Sequence, residues 1–317
     1  MTLTYRNGVS IGELVVYTLA IAVAIFLVLR HGFRKSAGWI FLVLFCLARI
    51  IGPAMQLATI SNPTSTSLYT GYAILNNVGL SPLMLAGLGL LGRLLDSIHI
   101  THDTKIHPTI LKIVHLVILV GLILGIVGGI NASDDYTKAL KAGTMATYRP
   151  GSLSKVGTAL FIASYAAIVA FTIAISFSTP HAQSGEKRIL YAVTIALPFL
   201  LIRLIYSSIS TFSHDPRFNL LTGDQTLLLC MAYLMEICVV LSFEIMGLTL
   251  RKVEVQRPAA TRQTNSSDSS APLQKRGKGN MALNIAKKTI IGRIVMALIP
   301  SEKHDLEMQN QESYIAK

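Results

Sequence analysis

Seven stretches of this chain, residues 11–29, 37–60, 70–91, 110–130, 156–177, 189–211 and 226–250, are apolar along nearly their whole length. Each is near or above the roughly 20 residues that a helix needs to cross hydrocarbon. Only a helix or a closed barrel satisfies its own backbone polar groups in lipid, and these runs lack the alternation of a barrel strand. The pattern predicts an all-α, seven-transmembrane-helix bundle. Hydrophobic residues make up 52 % of the chain and charged residues 14 %, which excludes a soluble enzyme with a single anchor. The first run ends in Arg30, Arg34 and Lys35 and reads as a first span rather than a cleaved leader.

The basic residues orient the bundle. Arg30, Arg34 and Lys35 follow span one, Arg93, Lys105 and Lys112 follow span three, Lys187 and Arg188 follow span five, and Arg251, Lys252, Arg257 and Arg262 follow span seven. The positive-inside rule puts these in the cytosol, and so the N-terminus outside or in a lumen. The loop 132–154 runs against the trend, with Lys138, Lys141 and Arg149 on the outer side. Asn131-Ala-Ser there is a glycosylation sequon close to the membrane. The seven-helix domain is expected to span residues 1–252, followed by a disordered linker over 253–280, rich in Ser, Thr, Pro and Gln. An interfacial helix is expected over 281–300 and a tail over 301–317. Lys287, Lys288 and Arg293 oppose the alternative of an eighth span. Much of the net charge of +12 lies in this last part, which points to anionic lipids of a membrane surface, not to nucleic acid.

Several spans carry breakers or small residues. Pro53, Pro82 and Pro198 each remove a helical hydrogen bond, so kinks are expected. Gly121, Gly125 and Gly129 repeat at the spacing that lets membrane helices approach closely. Trp39 opens span two, where a place in an interfacial aromatic belt would explain it.

The rise per residue converts sequence position into depth. Arg49 in span two, Asn76 and Asn77 in span three, Arg203 in span six and Glu236 in span seven all fall about 15–21 Å above the cytoplasmic face. Glu13 falls nearer the outer edge and Glu244 nearer the inner one. Ionisable groups in hydrocarbon are costly, so this layer reads either as a polar cavity with a function or as an ion-pair network that locks helices together. Tyr206 lies one turn from Arg203, and Tyr17 one turn from Glu13.

Other chemistries are absent. Span seven holds no lysine for a retinal Schiff base, no Asp-Arg-Tyr follows span three, and there is no phosphate loop, nucleophile elbow or His-Glu-x-x-His. Cys46, Cys230 and Cys238 all lie in apolar spans, and no Cys/His spacing suggests a metal. His99, His102 and His107 cluster in a loop with no ligand pattern. Asp134 and Asp135 do not form the metal motif of soluble terpene cyclases, because Lys138 replaces its third acid and the segment is an outer loop.

Residues 30–33 (RHGF), 36–41, 49–52 (RIIG), 79–82 (GLSP), 88–93, 215–219 and Met235-Glu236 together resemble a fungal seven-span membrane family of unknown function. The chain is also similar to the membrane-bound terpene cyclases of fungal meroterpenoid pathways, of the ascofuranone and macrophorin kind. That resemblance implies cyclisation of a farnesyl-type chain on a prenylated small molecule, begun by protonating a terminal alkene or epoxide. Such chemistry needs a carboxyl group that keeps its proton, an apolar cavity that excludes water, and aromatic faces for the cation. It needs no cofactor. The candidate acids are Glu236 first, then Glu244 and Glu13, with Arg49, Asn76, Asn77, Arg203 and Tyr206 holding substrate or orienting the acid. Arg49 or Arg203 near Glu236 would instead engage it as an ion-pair partner. A seven-span receptor or sensor and a small-molecule transporter stay as alternatives, since seven helices alone favour none of the three. The membrane is expected to be that of the endoplasmic reticulum or the plasma membrane.

Overall fold

The computed structural model describes residues 4–31, 37–62, 65–101, 108–141, 150–178, 187–213, 215–219 and 223–250. The chain divides into two units, Met1–Val255 and Gln256–Lys317, and every described residue lies in the first. The linker 253–280, the helix 281–300 and the tail 301–317 expected from sequence lie outside the described residues, as do His102 and His107.

Among the described residues seven helical spans are long and apolar enough to cross a membrane. In chain order the helices are α1 (Tyr5–His31), α2 (Ala37–Ala58), α3 (Thr66–Val78), α4 (Leu80–Thr101), α5 (Pro108–Lys141), α6 (Ser152–Ser178) and α7 (Lys187–Phe212). The last span, Gln225–Thr249, is built of a short α8 (Gln225–Leu228), a π-helical turn (Leu229–Tyr233) and α9 (Leu234–Thr249). The surface is apolar and the interior holds the charges. Leu19, Leu116, Ile123 and Ile245 are 69, 61, 59 and 61 % exposed, whereas Arg49, Arg203, Glu13 and Glu236 are 4 % exposed or less. Water would not tolerate that arrangement, and a bilayer requires it. This is a multi-pass membrane protein.

The span of α3 and α4 is the central one. In its most apolar stretch 78 % of residues are buried, against 28 to 50 % in the other spans. Helix α4 packs on α2, α5, α6 and α7, while α1 closes one side against α2 and α9. This span runs longer than the expected 70–91, and its helical hydrogen bonding is interrupted at Gly79, whose backbone stays in the right-handed helical region. Pro82 explains the break, because it offers no N–H to the carbonyl of Val78 and its ring crowds that turn. The Ser81 hydroxyl donates to the Val78 carbonyl instead, at 2.9 Å. Pro53 and Pro198 lie within continuous helices.

Two expectations change. The segment 132–141, read as an outer loop, continues α5 as helix to Lys141, so Asp134 and Asp135 stand on a helix. Its Ala, Lys and Asp residues include no Gly or Pro that would end a helix. Trp39 is 1 % exposed rather than part of an interfacial belt. Its ring stacks on His31 and lies against Gly247 of α9. At the same end the last carbonyls of α9 are capped from outside the helix. Arg30 donates to Leu248 and Leu250, His31 meets Gly247, and Arg188 donates to Thr249. Cations at a helix C-terminus satisfy orphan carbonyls and favour the dipole.

The small-residue pattern of α5 is used against α6. A Cβ on Gly157 would lie 2.9 Å from the Gly121 carbonyl and 3.2 Å from the Gly125 nitrogen. Gly157→Leu is expected to part α5 from α6 and cost about 1–3 kcal/mol. The detergent-solubilised protein should melt at a lower temperature, while Gly151→Ala, where a Cβ meets nothing within 4 Å, should leave the melting curve in place.

Candidate functional site

The polar layer forms around one carboxylate and two guanidinium groups. Glu236 stands in the first turn of α9 and is fully buried. Its Oε1 accepts from Arg49 Nη2 of α2 at 2.5 Å and from Arg203 Nε of α7 at 2.6 Å. Its Oε2 is ion-paired with Arg49 Nη2. Asn76 of α3 completes the knot, its side-chain oxygen accepting from Arg49 Nη1 at 2.7 Å and its backbone carbonyl from Arg203 Nη2 at 2.9 Å. That carbonyl lies in the last turn of α3, where helical donors run out.

Aromatic faces cover the rest of the charge. The Arg49 guanidinium carbon lies 5.7 Å from the Phe45 ring centre and 5.2 Å from that of Tyr233, and Arg203 lies 5.7 Å from Tyr206. Cations are attracted to ring faces at such distances. Tyr233 OH accepts from Asn76 Nδ2 at 3.2 Å and shares a hydrogen bond with Tyr72 OH at 2.9 Å. The break between α3 and α4 makes room for this knot. A Cβ on Gly79 would meet Arg49 Nη2 at 2.9 Å and Nε at 3.1 Å.

Glu13 is the fourth charged group. A linear count of rise places it nearer the outer edge, yet α1 brings its Oε1 to 3.6 Å from Arg49 Nη1. That distance is an ion-pair contact but not a hydrogen bond. Both Glu13 oxygens are buried and have no hydrogen-bond partner among the described residues, and neither has Tyr17 OH one turn along or Arg49 Nε. Native interiors leave few polar atoms in that state, so four at one place single it out. Of these residues Glu13 lines a groove of about 510 Å³ between α1 and the last span, with Thr4, Gly8, Gly12, Leu229, Tyr233 and Ile237 among others. The π-helical turn ends at Tyr233, just before Glu236. One extra residue in a turn rotates the downstream helix by about 100° relative to the upstream one. No Gly or Pro marks that turn in Leu229–Tyr233, so periodicity alone could not find it.

The structure thus gathers Arg49, Asn76, Arg203, Glu236 and Glu13. It leaves out three of the sequence candidates. Asn77, one residue and about 100° further round α3, lines a separate recess of about 20 Å³ with Ser154, Arg203, Tyr206, Ser207, Ser210 and Thr211. Tyr206 contacts Arg203 and not Glu236. Glu244 is buried two turns further along α9, outside the knot, with Oε1 unpartnered. Tyr233 and Tyr72 are the members that the sequence does not assign to the layer.

A family model described as a domain of unknown function, DUF7702, matches residues 3–253. The chain belongs to that family. No curated protein and no solved structure matches it. The match takes in all seven spans of this DUF7702 chain and leaves out the basic tail.

In this DUF7702 protein Glu236 is committed to two donors that can only donate. Replacing it by Gln leaves Arg203 without an anion and Arg49 with only the 3.6 Å contact of Glu13. Glu236→Gln is expected to cost about 3–5 kcal/mol and to collapse the fold yield, read by gel filtration of the detergent extract. Gly79→Ala should act through the same knot by displacing Arg49, at about 1–3 kcal/mol, read as a lowered melting temperature.

Proposed function

We propose that this protein is a membrane-bound terpene cyclase that closes rings on a farnesyl-type chain of a prenylated small molecule, as in fungal meroterpenoid pathways. Glu13 carries this reading: a buried carboxyl group with no hydrogen-bond partner among the described residues, on a residue that lines an apolar groove. Its charged contact, Arg49 at 3.6 Å, is longer than a hydrogen bond, whereas Glu236 is hydrogen-bonded to two arginines. Glu236, the first candidate by sequence, has structural work to do, so the acid role passes to Glu13.

The step balances as an isomerisation. The Glu13 carboxyl transfers its proton to the terminal epoxide oxygen. The tertiary C–O bond breaks, its electron pair stays on oxygen as a hydroxyl, and a carbocation is left at the chain end. Internal double bonds attack in turn and close the rings. The last cation loses a proton, which returns to the Glu13 carboxylate. An alkene start differs only in that carbon takes the proton. The apolar groove keeps water from trapping the cation, and Tyr233, which lines it, offers an aromatic ring to stabilise positive charge.

In this reading the N-terminus faces a lumen or the outside. The basic tail faces the anionic leaflet of the endoplasmic reticulum or plasma membrane.

The test is product analysis of microsomes holding the full chain, fed a farnesylated phenol and its terminal epoxide. A cyclised product isomeric with the substrate is expected. Glu13→Gln should lower its rate about 10²–10⁴-fold in protein that still elutes as a folded species on gel filtration, with melting lowered only by the loss of the 3.6 Å contact with Arg49. No turnover of either compound by folded protein would overturn the cyclase, and full turnover by Glu13→Gln would remove Glu13 as its acid.

A further inference from the structure

We infer that the recess between α3, α6 and α7 binds one small inorganic anion, a halide such as chloride, held by the free edge of the Arg203 guanidinium and by the side chains of Asn77, Ser207 and Ser210. Such a site would exist whether or not the protein is a cyclase.

A guanidinium group has five N–H donors on three nitrogens, and Arg203 uses two of the nitrogens. Nε donates to Glu236 and Nη2 to the Asn76 carbonyl, while Nη1 makes no hydrogen bond among the described residues. The carboxylate that Arg203 uses is shared with Arg49, and the ion-pair contact of Glu13 is with Arg49 as well. Arg203 therefore has half of one anion. It lines a recess of about 20 Å³, and among the described residues that line it there is no Asp or Glu.

Hydroxyl groups continue from that guanidinium along one face of α7. Arg203, Ser207 and Thr211 repeat by four with Ser210 beside them, over about 12 Å to the end of the helix. A helical serine or threonine can return its proton to the carbonyl four residues back, as Ser208, Thr158, Thr172 and Ser242 do. Thr211 is taken by Thr158. Ser207 and Ser210 make no hydrogen bond among the described residues, and neither does the Asn77 side chain across the recess on α3. These atoms are not sealed off. The Glu13 and Tyr17 oxygens are covered, whereas Arg203 Nη1, the Asn77 amide and the two serine hydroxyls keep some accessible surface, on residues that line the recess. Arg203 and Ser207 are nonetheless only 1 and 4 % exposed as whole residues, so the donors are held in place by the bundle.

The lining decides the occupant. A guanidinium edge, an amide and two hydroxyls gather donors around one small space whose local charge is positive, so a cation is repelled. Water fits the size but brings Arg203 no negative charge, in a bundle where unbalanced charge is costly. Carboxylate and phosphate groups exceed the space. A halide is little larger than a water molecule and accepts hydrogen bonds from every side.

The test is binding of radiolabelled chloride to the purified full chain in detergent at constant ionic strength, with gluconate, too large for the recess, as the replacing anion. Saturable binding of one chloride per chain is expected. The melting temperature should rise with chloride or bromide and not with gluconate, because a ligand held only by the folded state stabilises it. Ser207→Ala combined with Ser210→Ala should weaken binding by about tenfold or more. Ser208→Ala should not, since that hydroxyl is spent on the Leu204 carbonyl. Asn77→Asp places a carboxylate in the recess and should abolish both chloride binding and the halide-dependent rise in melting temperature, in protein that still elutes as a folded species. Should the double variant not fold, Asn77→Asp decides the location from the opposite wall. No saturable chloride binding by the unaltered chain would leave the recess to water and overturn the site. Binding that survives the serine and Asn77 variants, or equal stabilisation by gluconate, would overturn it too.

Discussion

Two arginines inside a lipid-embedded bundle set the terms for everything around them. A guanidinium group cannot shed its proton, so it cannot escape burial by becoming neutral. Arg49 and Arg203 are each 2 % exposed or less, and each must find acceptors within reach. Glu236 serves both, Asn76 contributes a side-chain and a backbone carbonyl, and three ring faces take up what remains. Helices α2, α3, α7 and α9 meet through this knot, and α1 reaches it through Glu13. A buried ion cluster of this kind adds little net stability compared with apolar side chains of equal volume, yet removing one member is severe. Its effect is to fix which helices meet and in what rotation, in a bundle whose lipid-facing contacts discriminate poorly between arrangements.

Local features that look unrelated depend on that knot. Gly79 is needed because a side chain there would occupy the place of the Arg49 guanidinium. Pro82 ends the hydrogen-bond ladder at Val78 and lets the chain break at that same glycine. The π-helical turn leads directly into the first turn of α9, from which Glu236 reaches both arginines, and ends at the tyrosine whose ring covers Arg49. A stretch of three residues, Gly79 to Ser81, thus serves the site without carrying any of its charge.

Depth is legible in the sequence, and direction around the helix is not. A fixed rise per residue turns position into height, so the spans alone set Arg49, Asn76, Arg203 and Glu236 in one layer. Which of them touch depends on helix rotation, which hydropathy does not encode. Asn76 and Asn77 have nearly the same height, but only Asn76 joins the knot. A linear count sets Glu13 nearer the outer edge, and its carboxyl group still reaches Arg49. The seven spans themselves are plain, since hydropathy is a local property. The continuation of α5 to Lys141 is hidden because polar residues on a helix beyond the apolar core look like a loop to a hydropathy reading. Trp39 resembles an interfacial anchor, but a glycine on α9 makes a slot for its ring.

The two acids of the layer divide the work, and the division governs how any loss of function is to be interpreted. Glu236 is bound on both sides by donors, so its removal disturbs four helices before it disturbs any reaction. Glu13 has a 3.6 Å contact with Arg49 and no hydrogen bond among the described residues, so a stable fold gains less from it. The groove that Glu13 lines is apolar on its walls and bare at Gly8 and Gly12, whereas the recess on the far side of Arg203 is small, hydroxyl-lined and of a size for a single water. The knot therefore stands between an apolar face and a polar one. In the proposed reaction a carbocation formed at Glu13 would arise on the apolar face.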